Sequence, residues 1–436
     1  MRKGKRWLAA AVSAAMIVQS LASVGPVYAA DDGVSIADTF TDSSFRSYVS
    51  SNFDTDSNGY LSDAEISNVT SIDVSKCSPA ISSLNGVELF TNLSKLDCNE
   101  QSIRNLDIEN LENLEYIDVS SNRIDSLTLP VSAEKLTYLD ISGNKITSLT
   151  SLADYNNLVL LNANSTNLSS IDVSNMKGLK VLGVSGTTIS TLDLGSNMEL
   201  TTLYCDSMRS LPVLDVSGHE KLKNLYCAGA KSDSGVVVRS SITKLDVSGD
   251  IVLGSLDCSN SYVAELNIDN TPALTTLDCS NTRLTSIDVS KNTSLSYLDV
   301  SSNVLGAVDF TANTALRELY VKDTGINKLD VSTLTNLVNL DASSNSLAEL
   351  DIASNSLLEK LYISDNNIQG IKLDGHPDLK ELEIDNNNLV AIDISVCPKL
   401  YGDDGVFSCS GNSRDITLDT TNYDYDFSDF SKVYGL

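Results

Sequence analysis

Tryptophan is almost missing from this sequence: the single copy is Trp7, and aromatic residues make up only 6% of 436 positions. Once an N-terminal leader is removed, no tryptophan remains to stack against a sugar ring. Histidine is scarcer than in most chains, with His219 and His376 far apart in loops, and no C-x-x-C spacing occurs. A zinc site is therefore not expected. There is no G-x-S-x-G and no H-E-x-x-H, and neither histidine has an evident nucleophile beside it. Carboxylates are plentiful, but nothing sets two of them apart as an acid–base pair, so the expectation is no enzyme; a hydrolase is the weakest of the functional readings. Positive charge is also in deficit, 30 basic against 58 acidic residues, for a formal net charge of −28. Such a surface argues against nucleic acid or an anionic membrane as partner and favours solubility, divalent cations or basic partners. After residue 24 no run of about 18 apolar residues exists that could span a bilayer.

What is present begins with a secretory leader. Arg2, Lys3, Lys5 and Arg6 form a basic start, Leu8 to Val24 an apolar stretch, and Val27-Tyr28-Ala29 suits a small-residue cleavage site. Residues 1–29 are read as a signal peptide, so the chain is expected to be secreted and extracellular, either free or associated with the cell surface. No cysteine stands at the cut and no L-P-x-T-G follows.

A repeat dominates the rest. From Leu277 the sequence runs LDCSNTRLTSIDVSKNTSLSY, and it restarts at Leu298, Leu319, Leu340, Leu361 and Leu382, each time 21 residues later. An L-x-L pair places both side chains on one face of a strand. Two such pairs per unit describe a coil whose apolar residues all point inward, and only stacked neighbours can bury them. Inward positions recur at Ile72, Leu96, Ile117, Leu139, Leu161, Leu182, Leu203, Leu225, Leu256, Leu277, Leu298, Leu319, Leu340, Leu361, Leu382 and Phe407. The coil after Leu225 is longer, and its extra residues around Lys231 to Ser240 are expected to leave the solenoid as a loop. Cys98, Cys205, Cys227, Cys258, Cys279 and Cys409 fill the second inward position and read as buried thiols, with disulfides, which export permits, as the alternative. Four of them, from Cys205 to Cys279, lie in successive coils and should stack about 4.8 Å apart.

Ahead of the repeat, residues 31–41 read as a polar linker, and Phe45, Tyr48, Val49 and Phe53 share one helical face with Asp42 or Ser43 as N-cap. Then comes DTDSNGYLSDAE, which matches the EF-hand calcium loop at every ligand position. Asp54, Asp56 and Asn58 stand at positions 1, 3 and 5, with Gly59 at the sharp turn. Tyr60 would lend its carbonyl, Ser62 a side chain or bridging water, and Glu65 two oxygens. Calcium is the expected cofactor, in a cap that closes one end of the solenoid.

Outward residues stack into columns. One runs Asp73, Asp97, Asp118, Asp140, Asn162, Gly183, Tyr204, Tyr226, Asp257, Asp278, Asp299, Tyr320, Asp341, Tyr362 and Glu383. It would line the concave face, where Tyr204, Tyr226, Asp257, Asp278, Asp299, Tyr320 and Tyr362 are the candidate binding residues for a protein partner. The competing reading makes the aspartates repeat consensus, satisfied by nearby backbone N–H groups. Asn122, Asn144, Asn303, Asn345, Asn366 and Asn387 read as buried amides that bond the backbone of adjacent coils.

The pattern L-x-x-L-x-L-x-x-N-x-L is met by Leu295, Leu298, Val300, Asn303 and Leu305, and again from Leu337 and from Leu379. These residues resemble a leucine-rich repeat, and the whole mature chain resembles internalin-like surface proteins of Gram-positive bacteria. That resemblance implies an α/β, β-rich fold: a right-handed solenoid with a parallel β-sheet and a small helical, EF-hand-like N-terminal cap. It implies a non-enzymatic scaffold that binds a protein ligand, as a monomer, with a carbohydrate or mucin ligand as the alternative. The expected organisation is a leader at 1–29, a cap at 30–71, about 16 coils of mainly 21 residues at 72–421 and a closing strand or tail at 422–436.

Overall fold

In the computed structural model, residues 33–412 are described except 150, 151, 153, 154, 232–235, 402 and 403, together with 417–419 and 433–434. The leader lies outside the described residues, as does most of the 422–436 tail.

The stacked apolar pairs build one long parallel sheet of 17 three- or two-residue strands. It runs in chain order from Ser71–Asp73 to Val433–Tyr434, and no hydrogen bonds join its first strand to its last among the described residues. All sixteen inward positions expected from the repeat fall in this sheet, each paired with its successor: Leu277 with Leu298, Leu298 with Leu319, and Leu382 with Phe407. These leucines are fully buried. Each contributes roughly 1.5–3 kcal/mol by leaving water, which only stacking can supply for a coil with no core of its own.

The coil's second apolar pair behaves differently. Strand pairing on that side joins Asn105–Asp107 to Ser126–Thr128, links Val213–Asp215, Lys244–Asp246 and Glu265–Asn267, and joins Ala391–Asp393 to Thr417–Asp419. Elsewhere the pair is buried without being a strand, as at Val289 and Val331. Apolar spacing dictates which side chains face inward; it does not bring neighbouring backbones within pairing distance.

Amides and thiols complete the interior. Asn122 donates to the carbonyls of Cys98 (2.8 Å) and Val119 (3.1 Å) and accepts from the N–H of Ile103, and Asn144, Asn303, Asn345, Asn366 and Asn387 do the same in their coils. All eight cysteines are free thiols, and Cys205, Cys227, Cys258 and Cys279 are buried on consecutive strands of the sheet. His219 and His376 are buried in separate coils, their rings against backbone carbonyls.

The N-terminal part differs in detail from the sequence reading. Residues read as a linker hold a short strand, Val34–Ser35, paired antiparallel with Tyr60–Leu61, and a one-turn helix, α1 (Ile36–Thr39). Four residues are too few to show a helical period, yet Ile36 and Phe40 are buried. Helix α2 (Ser43–Asn52) starts at the expected N-cap, Asp42, whose Oδ1 accepts from Ser44 and Phe45. The other oxygen of Asp42 accepts from the N–H and hydroxyl of Ser82, tying the cap to the first coil. Phe40, Phe45, Phe53 and Phe90 pack ring to ring across the same junction, at centroid distances of 5.3–6.0 Å. The raw end of the solenoid is thereby covered.

The long coil after Leu225 leaves the stack as an antiparallel hairpin, Ala230–Lys231 with Val237–Val238. Gly229 lies at its root, where a Cβ would sit 2.0 Å from the Asn260 carbonyl oxygen. Arg239 closes the return, donating 2.9 Å to Ser261 and also to Asn281. Among the described residues no helix is long and apolar enough to cross a membrane.

Candidate functional site

Two regions hold the residues singled out by sequence. The first is the loop between α2 and α3 (Asp63–Asn68). Ser57 and Gly59 take positive φ, which turns the chain back on itself. Asp54, only 8% exposed, then accepts from the N–H groups of Asn58 (3.1 Å) and Gly59 (3.0 Å). Asn58 donates to Asp56 and accepts from the N–H of Tyr60. Carboxylate oxygens of Asp54, Asp56 and Glu65 lie within 4.8 Å of one another. Hard oxygens at that separation suit a cation bound at 2.3–2.6 Å from each. Ser62 is the N-cap of α3 and Glu65 its reciprocal partner, a capping box. Both Glu65 oxygens are engaged, by the N–H and hydroxyl groups of Thr55 and Ser62. Burial pushes its carboxyl up, but these hydrogen bonds outweigh it and hold the group down at about 2. The donor set fits calcium, with Glu65 already ionised and oriented.

The second region is the outward face of the long sheet. Tyr204, Tyr226, Asp257, Asp278, Asp299 and Tyr320 are six consecutive members of one column, and Tyr362 stands two strands further on. The rings of Tyr204 and Tyr226 stack at 5.1 Å and 7°. The aspartates are held from behind: Oδ1 of Asp257, Asp278 and Asp299 accepts from the N–H groups of Ser259, Ser280 and Ser301 at 2.8–3.0 Å. Burial and the like charges of Asp257 and Asp299 outweigh the Ser280 bonds and push Asp278 up to about 6. Asp97, Asp118 and Asp299 shift the same way, burial first. On the coil's other side Asp172, Asp288, Asp309 and Asp330 are fully exposed and shift downward through Ser or Thr hydrogen bonds. The same Asp–Ser motif is thus solvated on one side and crowded on the other.

A second column on the sheet escaped the sequence reading. The residue before each inward leucine also points outward, by the alternation that was applied only to the residue after it. This column carries Tyr116 and Tyr138, stacked at 4.3 Å and 11°, and Tyr297, whose ring lies 5.5 Å from Tyr320. It also carries Lys95 and Lys360. Lys360 pairs with Glu381 at 2.6 Å, and Glu381 accepts from the Tyr362 hydroxyl.

Residues 112–154 match a model of leucine-rich repeats in two copies, and residues 291–309 match a single leucine-rich repeat. Among solved structures, the chain is similar to the functional domain of InlJ from Listeria monocytogenes, which includes a cysteine ladder. The two are 30% identical over 87% of this chain and 82% of that one, with a TM-score of 0.73. It is similar in fold to YopM from Yersinia enterocolitica (21% identity, 80% and 73% covered, TM-score 0.57). The same holds for a leucine-rich repeat protein of Leptospira interrogans (20%, 75% and 91%, 0.54). No curated protein matches the chain by sequence.

Proposed function

This chain belongs to the leucine-rich repeat family, with internalin-like structural relatives, and from that premise we propose that it is an exported, non-enzymatic scaffold whose concave sheet grips a protein partner. The observation that carries the reading is the outward face itself: paired tyrosines set in two neighbouring columns, one of them rich in carboxylates. Tyrosine anchors contact at low entropic cost, and the carboxylates favour a basic partner. A polypeptide suits the face better than a sugar ring, because each stacked tyrosine turns one face to its neighbour, and Lys95 lies over the Tyr116 ring. The buried stack of Cys205, Cys227, Cys258 and Cys279 is proposed as the counterpart of the InlJ cysteine ladder, acting as core rather than as a redox site.

The cap is proposed to bind calcium through Asp54, Asp56, Asn58, the Tyr60 carbonyl, Ser62 and Glu65. Calcium would cross-link α2 to α3 and so stiffen the element that covers the first coil. We propose the domain organisation of a leader at 1–29, a cap from 30 to 71, a solenoid from 72 to 421 and a closing segment from 422.

The docking reading is tested with Tyr204→Ala/Tyr226→Ala against Asp309→Ala/Asp330→Ala. Any protein captured by the wild-type chain is expected to lose at least about tenfold in affinity with the first pair and nothing with the second. Equal binding by both pairs, or selective binding on a glycan array with none to protein, overturns it.

A further inference from the structure

Two stretches of the long sheet carry nearly the same residues in the same register. In the first, Ser71-Ile72-Asp73 pairs with Lys95-Leu96-Asp97, which pairs with Tyr116-Ile117-Asp118. In the second, Ser255-Leu256-Asp257 pairs with Thr276-Leu277-Asp278, which pairs with Tyr297-Leu298-Asp299. Every outward residue agrees but one: Lys95 has become Thr276.

The first stretch shows what that lysine does. Its Nζ lies 3.8 Å from Oδ2 of Asp73, 3.7 Å from Oδ2 of Asp97 and 5.1 Å from the centre of the Tyr116 ring. One ammonium is held between two carboxylates and an aromatic face, which is a favourable setting for a compact point charge. In the second stretch the carboxylates and the ring remain. Threonine ends well short of the reach of a lysine, and no ion pair joins Asp257, Asp278 or Asp299 to a cation among the described residues. Their Oδ1 atoms are taken by serine N–H groups, leaving Oδ2, the atom that faces Lys95 in the first stretch.

The electrostatics follow this difference. Burial and like charge raise both Asp97 and Asp278, but Lys95 works against the rise at Asp97, whereas Asp278 has no such cation and reaches about 6. The acidic run is bracketed in its own column by Tyr226 and Tyr320, whose rings can pack the methylene stem of an incoming side chain.

We propose that Asp257, Asp278, Asp299 and Tyr297 form a receptor for the ammonium group of a lysine side chain carried by a polypeptide partner. This rests on the concave face being the docking surface and specifies what it recognises there. The chain itself supplies the template at Lys95.

Hexalysine is the probe, with carbon-13 carboxyl titration of Asp278 and calorimetric affinity as readouts on the full chain. Hexalysine is expected to move the Asp278 midpoint from about 6 toward the ordinary carboxylate range. Thr276→Lys should do so without peptide and should weaken hexalysine binding about tenfold, the worth of one charge-assisted contact. Thr276→Ser, and Thr285→Lys at an exposed position off the sheet, should leave both readouts as in the wild type; equal weakening by Thr285→Lys would mean general charge attraction and overturn the site. Asp278→Asn provides a second route if Thr276→Lys fails to fold, with the same tenfold loss expected. Wild-type affinity in Thr276→Lys or in Asp278→Asn overturns the proposal. That failure leaves the docking reading standing, since its own test runs through Tyr204 and Tyr226.

Discussion

The carboxylate of Asp250 accepts a hydrogen bond, 2.8 Å long, from the backbone N–H of His219 one coil earlier, and its other oxygen has no partner. Both residues belong to a buried column on the side of the coil away from the long sheet: Asn197, His219, Asp250, Thr271, Asn292, Asn313, Asn355 and His376. Where asparagine occupies the column, its two N–H groups reach two carbonyls of the coil before, as Asn355 does to Val331 (2.9 Å) and Leu334 (2.8 Å). Burial pushes Asp250 up to about 7 despite the N–H groups that favour its charge.

Replacing Asp250 by the residue common elsewhere in the column removes that burden. Asp250→Asn keeps an acceptor for the His219 N–H and adds donors in place of the unpartnered oxygen. It is expected to stabilise the chain at pH 8 by about 1–3 kcal/mol, the usual cost of a buried unsatisfied group. Urea unfolding at pH 8 measures it, and a gain that persists undiminished at pH 4 would contradict the electrostatic cause.

His376 holds Leu373 O at 3.1 Å and Ile352 O at 3.0 Å through its two ring nitrogens. Asparagine can offer N–H donors there as the ring does, whereas leucine offers none. His376→Leu should therefore cost about 0.5–1.5 kcal/mol more than His376→Asn, the worth of one hydrogen bond, since the backbone N–H groups of His376 and Asn355 still reach Leu373 O and Ile352 O. Denaturant midpoints of the two variants decide between this and a purely steric role.

Stability should peak in mildly acid solution. Asp206, Asp278 and Asp250 have folded-state values raised to about 6, 6 and 7, so folding favours their protonated forms. Their destabilising effect is absent below about pH 4 and grows as pH rises toward 7. Glu65 works in the opposite sense: held at about 2, it adds stability above about 4.5 that is lost as pH falls toward 2. Melting temperature is expected to be higher at pH 5 than at pH 8 and to fall again below pH 4. A monotonic rise from pH 5 to pH 8 would show that the raised carboxyls do not govern it.

Calcium should raise the melting temperature of the cap. At a hundredfold excess over its dissociation constant a ligand adds about 2.7 kcal/mol to the folded state. Asp54→Ala removes the buried ligand, and Glu65→Gln removes charge while leaving an oxygen for the capping box. Calorimetry with calcium and with magnesium should show binding in wild type and little in either variant. If both variants respond to calcium as wild type does, the loop does not hold the ion.

The amino-acid sequence alone determined the coil. A hydrophobic residue every 21 or 22 positions leaves no arrangement but stacking, so sixteen of the 17 strands of the long sheet, the asparagine ladder and the stacked cysteines were legible before any coordinates. The Asp54–Glu65 pattern was legible for a similar reason, since its oxygen-bearing residues lie within twelve consecutive positions. Only the tertiary structure decided which outward residues meet. The Asn–His–Asp–Thr column is invisible in sequence because four residue types share one role, defined by carbonyls of the neighbouring coil. The difference between Lys95 and Thr276 acquires meaning only when their strands are laid in register, eight positions apart in the sheet. Periodicity specifies which way a side chain points; its neighbours, and hence its charge state and its ligand, are specified by the stack.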